Sequence, residues 1–306
     1  MKYIVASLFW YYRNLLWFFW KPKSRAQFWY EDNNLGKNGG YPKDFLTKFE
    51  TPEWEVSSSK INVYQIGLVT LRQFPESFLT QVFVPYLNHY NIAIALDVEG
   101  ATWMHLNRGR EALFALEAAQ IARLAELGVP VKYVTLQSPL CKATPNKEVY
   151  ILLQRLRDVV EYKKMVRTHF PQAKIGIIDA NPSHKRDWYF IYSNLLALTS
   201  IDYIHLDAPY SGYVKSAWDA LMWYEINKIK TFCRIRDVEF GLLLTSEAGK
   251  ISNTAFKADV LQMARESVKY LGMDVTGILI SWFAYPDNTV PLISDMIKQI
   301  RAENYG

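Results

Sequence analysis

Cysteine is scarce in this chain: Cys141 and Cys233 are the only two in 306 residues. Two thiols cannot build an all-cysteine zinc site, and they permit one disulfide without supporting it. An excess of one charge is missing too. The 35 basic and 30 acidic residues leave a net charge of +5, and no basic run marks a surface that would track phosphates. That balance argues against a nucleic-acid partner and suits a neutral substrate. No HExxH, P-loop, GxGxxG or GxSxG run occurs, so the usual signals of zinc proteases, nucleotide sites and serine hydrolases are absent. No linker-like or low-complexity stretch divides the chain.

What is plentiful is apolar and aromatic matter. Hydrophobic residues make up 50% of the chain and Trp, Tyr and Phe 15%, enough for one large core. The length suits two ordinary domains or one barrel of about 250 residues. The first 25 residues stand apart. Met1 to Trp20 is mostly apolar and aromatic, with Arg13 and Asn14 inside it and Lys21, Lys23 and Arg25 after it. A cleaved signal peptide wants a small-residue site, and none lies near Trp20-Lys21-Pro22. A spanning anchor would carry Arg13 at its costly centre. The composition fits an interfacial helix with basic flanks, hence a membrane surface as partner and a membrane-associated or exported protein. A helix closing the floor of the following domain, in a cytoplasmic protein, is the other reading.

Residues 26–306 read as one domain. Eight apolar runs behave as strands: 26–34, 60–67, 91–100, 131–139, 174–182, 202–209, 239–247 and 277–283. Helical patterns separate most of them, at 107–128, 147–169, 188–198, 213–236 and 256–272, with a short helix inside 42–53. Strands alternating with helices imply a parallel sheet, and eight repeats imply closure into a (β/α)8 barrel. The third run, NIAIALDVEG, tells its faces apart. Ile92, Ile94, Leu96 and Val98 alternate with Ala93, Ala95, Asp97 and Glu99. The large aliphatics would pack on helices, and the small residues and carboxylates would face the barrel interior and its mouth.

In such a barrel the site lies at the carboxyl ends of the strands. There the sequence places Glu31 and Asp32, Asp97 and Glu99, Asp179 and Asn181, His205 and Asp207, and Glu247. Like charges converging on one mouth cost stability, so such a gathering points to function. Paired carboxylates suit glycosidic hydrolysis, in which one protonates the leaving oxygen and the other attacks or activates water. Trp29, Trp103, Tyr210, Tyr213, Trp282 and Tyr285 are placed to stack on sugar rings, and Asn181 and His205 to bond sugar hydroxyls.

SWFAYPDNTVP (Ser281 to Pro291), HLDAPY (His205 to Tyr210) and LTSEAG (Leu244 to Gly249) carry a resemblance that spans roughly residues 28–304. The chain resembles the TIM-barrel glycoside hydrolase superfamily, and within it barrels of unassigned activity associated with bacterial polysaccharide genes. The resemblance implies a carbohydrate substrate and a site at the barrel top. The large retaining clan of that superfamily ends strand four in an Asn-Glu pair; here the strand ends Gln137-Ser138-Pro139. The DxDxE run of the chitinase-like branch is missing as well. Glu247 matches the placement of the clan's strand-seven nucleophile. The expectation is a glycoside hydrolase needing no cofactor or metal, with Glu247 as nucleophile or base, Asp207 or Glu99 as acid, and Asp179 as a further candidate. Two alternatives stand beside it: a catalytically silent sugar-binding barrel in polysaccharide assembly or export, and an isomerase or epimerase holding Mg or Mn on Glu99, His205, Asp207 and Glu247.

Overall fold

The computed structural model describes residues 26–32, 44–72, 74–99, 110–140, 149–180, 188–208, 210, 219–287 and 289–304. The segment 1–25 therefore lies outside the described residues, as do Trp103, Asn181 and Tyr213. Eight parallel strands close on one another in chain order. They are β1 (Phe28–Glu31), β2 (Val63–Gly67), β3 (Ala93–Val98), β4 (Val131–Gln137), β5 (Lys174–Ala180), β6 (Tyr203–Asp207), β7 (Glu239–Leu244) and β8 (Thr276–Leu279). Seven fall inside their expected runs and β8 begins one residue before its own; all but β2, which ends with its run at Gly67, end earlier than the apolar pattern does.

After β1 come a 3-10 turn (Lys48–Glu50) and α1 (Pro52–Ser58); α2 (Leu68–Leu71) follows β2. Between β2 and β3 the chain makes α3 (Glu76–Phe78), a π-helical turn (Leu79–Phe83) and α4 (Val84–His89), a stretch the periodicity did not announce. Five later helices match their expected places: α5 (Arg110–Glu126), α6 (Val149–His169), α7 (Trp188–Leu198), α8 (Asp219–Ile235) and α9 (Asn253–Leu271); α10 (Leu292–Asn304) follows β8. Among the described residues no helix is long and apolar enough to cross a membrane.

Two apolar cores result, divided by the sheet. Ile92, Ile94, Leu96 and Val98 join the outer core between sheet and helices, as the third strand's alternation requires. Trp29, Val63, Ala95, Tyr133, Ile178, Tyr203, Leu243, Ile278 and Ile280 form the inner core. Strand register sorts the inner side chains into layers drawn from alternate strands. From the floor upward, Trp29, Ala95, Gly176 and Gly241 share one layer, and Gln65, Thr135, His205 and Ile278 the next. Glu31, Asp97, Ile178 and Leu243 follow, then Gly67, Gln137, Asp207 and Ile280. A bulge in the β3–β4 pairing, between Ile94 and Ala95, lets Tyr133 and Thr135 face inward while Lys132 stays exposed.

The lower layers are full. The Trp29 ring meets Tyr133, Tyr203 and His205 at centroid distances of 4.8, 5.5 and 4.7 Å. Its indole N–H donates to Gln27 Oε1 at 2.9 Å, and Gln27 Nε2 donates to the Tyr133 hydroxyl at 3.2 Å. Glycines make this crowding fit: a Cβ on Gly176 would lie 2.1 Å from Tyr203 Cδ2, and one on Gly241 2.6 Å from His205 Cδ2.

Candidate functional site

Above the packed floor the interior turns polar. Thr135 Oγ1 donates to Gln65 Oε1 at 3.0 Å and shares a 2.8 Å hydrogen bond with the Tyr203 hydroxyl. Gln65 Nε2 then donates to Glu31 Oε2 at 2.6 Å. This line of bonds crosses strands β6, β4, β2 and β1. Gln65, Thr135 and Tyr203 were not among the expected site residues. Their signal was the period of two in KINVYQIG and VKYVTLQ, which sets Gln65 with Val63 and Thr135 with Tyr133 on one face.

Several buried polar atoms around this level have no hydrogen-bond partner: Asp97 Oδ1, His205 Nδ1, Asp207 Oδ1, Thr245 Oγ1 and Trp282 Nε1. All five belong to inward positions on β3, β6 and the residues just past β7 and β8. A buried group left unpaired costs about 1–3 kcal/mol, and native interiors hold few of them. Their concentration at one end of the barrel is the main polar feature of the mouth.

Burial also sets the protonation of these groups. It pushes the Asp207 carboxyl up to about 7; the neighbouring charge of Asp179 adds to the rise, and the Trp282 indole opposes it from outside hydrogen-bonding geometry. Asp97 is raised well above the ordinary carboxylate range, first by burial and then by Glu31, Glu99 and Glu117. Both shifts run toward the neutral acid. Desolvation pushes His205 down to about 3, so its imidazole is neutral and keeps one acceptor nitrogen.

The other expected residues are distributed differently. Glu99 lies one residue past β3, half-buried, its backbone N–H donating to Glu117 Oε1 at 3.0 Å. Glu247 opens a 3-10 turn (Glu247–Lys250), three residues past the end of β7, and pairs with Lys250 at 3.3 Å. The Lys250 ammonium also lies 4.9 Å from the Phe283 ring centroid, so acid, base and ring share the rim. Asp179 occupies the outward face of β5, beside Ile175 and Ile177, and accepts a 2.7 Å hydrogen bond from the Tyr192 hydroxyl on α7. Tyr210 also turns to the helices and donates to Glu266 Oε1 at 2.9 Å. Trp29 belongs to the packed floor. Tyr285, half-buried, is tied by its backbone, with its N–H on Gly249 O at 2.9 Å and its carbonyl under the Ser281 hydroxyl at 2.6 Å.

Asp32 serves the outer core. Lys48 ion-pairs with it and donates to the Tyr64 hydroxyl at 2.6 Å, while Tyr30 and Thr289 donate to its other oxygen at 2.7 and 3.1 Å. The rings of Tyr30, Phe45, Phe49, Trp54 and Tyr64 surround the ammonium at 4.5–5.4 Å. Among the described residues no three His, Cys, Asp or Glu side chains are gathered to hold a metal ion. Glu99, His205, Asp207 and Glu247, all described, thus do not form a coordination shell.

No family model and no curated protein matches the sequence. Solved structures match the fold. The endo-β-1,4-mannanase of Cellulomonas fimi superimposes with a TM-score of 0.62 at 11% identity, over 92% of this chain and 71% of the mannanase. A xylanase of Paenibacillus barcinonensis gives 0.55 at 12% identity, over 92% of this chain and 96% of the xylanase. The D-psicose 3-epimerase of Clostridium cellulolyticum gives 0.52 at 11% identity, over 90% and 91% of the two chains. At such identities the likeness establishes a fold: this chain is a TIM barrel, as the hydrolases and the epimerase are.

Proposed function

We propose that the chain binds a poly- or oligosaccharide at the carboxyl mouth of its barrel and hydrolyses a glycosidic bond there with two carboxyl groups. The observation that carries this reading is the set of unpaired buried atoms on Asp97, His205, Asp207, Thr245 and Trp282. The set mixes an N–H donor with several acceptors. A sugar offers hydroxyls that both donate and accept, beside apolar ring faces suited to Trp282, and so answers such a mixture.

Asp207 is the proton donor in this reading. Its inward position, its unpaired oxygen and a carboxyl raised to about 7 match a general acid working near neutral pH. The second carboxylate is Glu247, on the rim past β7, with Glu99 past β3 as the other candidate. The distance between donor and partner in the bound complex decides between retention and inversion. Trp282 and Tyr285 stack on sugar rings at the rim. Residues 1–25 attach the barrel to a membrane surface, which sedimentation of the full chain with lipid vesicles checks.

The silent sugar-binding barrel draws on a specific observation: strand four ends in Gln137 rather than an acid, and Glu247 is engaged by Lys250. One experiment separates the readings. Reducing-end release from a panel of bacterial and plant polysaccharides is measured for the parent and for D207N, E247Q and E99Q, with and without chelator. Release by the parent, unchanged by chelator and lost in D207N, supports hydrolysis. Binding without release in all four proteins supports the silent barrel. Loss of activity on chelation returns the metal-dependent reading.

A further inference from the structure

We infer that Glu31 and Asp97 together form the floor of the sugar subsite, Asp97 donating a hydrogen bond to one ring hydroxyl and Glu31 accepting one from its neighbour. The inference rests on the carbohydrate reading above, which counts Asp97 among the open polar groups without giving it a partner and gives Glu31 no part.

Register brings the two acids together. Glu31 pairs with Gln65 and Asp97 with Gly67, so the tilt of the strands sets both acids in one layer on alternate strands. Adjacent strands lie about 4.8 Å apart, and only β2 separates β1 from β3. The inward position of β2 above this layer is Gly67, which has no side chain. Glu31 and Asp97 therefore stand on either side of a position without a side chain, with Ile178 and Leu243 completing their layer. Two buried carboxyls sharing a layer with two aliphatic side chains are costly unless one of them stays protonated.

The two are supported differently. Glu31, 1% exposed, receives the Gln65 amide at 2.6 Å. Because Thr135 donates to Gln65 Oε1, the amide presents its N–H to Glu31, and the Tyr203 hydroxyl donates to Thr135 in turn. Every donor in the line points toward Glu31, which is the acceptor at its end. Asp97, 4% exposed, has an oxygen with no partner. Burial, then the charges of Glu31, Glu99 and Glu117, push its carboxyl up, toward the protonated form that can donate. An acceptor beside a donor, both buried, matches adjacent hydroxyls of one sugar ring. It suits a cation poorly, since half of the pair is uncharged.

The test titrates the full chain with xylotetraose, mannotetraose and galactotetraose, reading tryptophan fluorescence, for the parent and D97N, D97A and E31Q. Circular dichroism confirms that each variant is folded. Asn keeps the shape and a donor, so D97N should hold its affinity within about threefold, whereas D97A and E31Q should each lose about tenfold or more, as for a buried hydrogen bond left unpaired. Infrared spectra should show a protonated-carboxyl band in the parent that is missing from D97N. Affinity unchanged in D97A, or no such band, overturns this assignment while leaving the carbohydrate reading in place. Failure of the parent to bind any sugar, here and on the polysaccharide panel, overturns both.

Discussion

Asp32 and Asp207 are both buried carboxyl groups near the upper ends of barrel strands, and the fold treats them in opposite ways. Asp32 faces the helices, where an ammonium, two phenols and a hydroxyl saturate it. Asp207 faces the interior, where one of its oxygens has nothing to bond. The outer core thus carries a charge that is stabilised within the molecule. At the inner mouth Asp97 and Asp207 each keep an oxygen without a partner. An ion pair completed around Asp32 and an oxygen left open on Asp207 set a residue that holds the barrel apart from one available to a ligand.

The sharpest way to break this contrast is activity. D207N should lower reducing-end release by about 100-fold or more, the usual share of a positioned general acid, while leaving the fold intact by circular dichroism. The second is stability in the other region. Replacing Lys48 by Met leaves Asp32 buried without its cation and should cost about 3–5 kcal/mol, read as a lowered urea midpoint. Equal stability of that variant and the parent would erase the distinction between the two carboxyls.

A third test uses pH. The folded Asp207 carboxyl titrates at about 7 against an ordinary 3.8. Between those values the folded chain keeps a proton that the unfolded chain has released. Its contribution to stability is whole below about pH 4 and is lost as pH rises through about 7. D207N should therefore match the parent near pH 4 and exceed it by about 1–3 kcal/mol near pH 8. His205 works in the other direction: its folded value of about 3 lies below the ordinary 6.5, so its contribution is present above about pH 6.5 and fades as pH falls. The smallest expected effect is Tyr203→Phe, which removes the hydroxyl shared with Thr135 and should cost about 0.5–1.5 kcal/mol by urea unfolding.

The architecture was legible because its signals are local. Alternation in NIAIALDVEG separates Leu96 from Asp97, and the closed eight-stranded order follows from the β/α rhythm. The stretch 76–89 escaped because a π-helical turn breaks the 3.6 period that marks a helix. The site was legible only in part. Strand-end acids such as Asp179 and Asp207 look alike in sequence, and one residue of register sends them to opposite faces of the sheet. Glu247 reads as a strand-end residue in EFGLLLTSE, yet Thr245 and Ser246 leave the ladder first, and Ser246 caps the turn by accepting from the Ala248 N–H at 3.0 Å. The line from Tyr203 through Thr135 and Gln65 to Glu31 depends on barrel tilt, a long-range property that no window of sequence contains.

Gly176 and Gly241 bear on how this barrel changes over time. Each reserves the volume that a ring from the next or preceding strand occupies, Tyr203 in one case and His205 in the other. A side chain gained at either glycine is tolerated only if the facing ring shrinks in the same lineage. Among relatives of this chain, positions 176 and 203 should covary, as should 241 and 205.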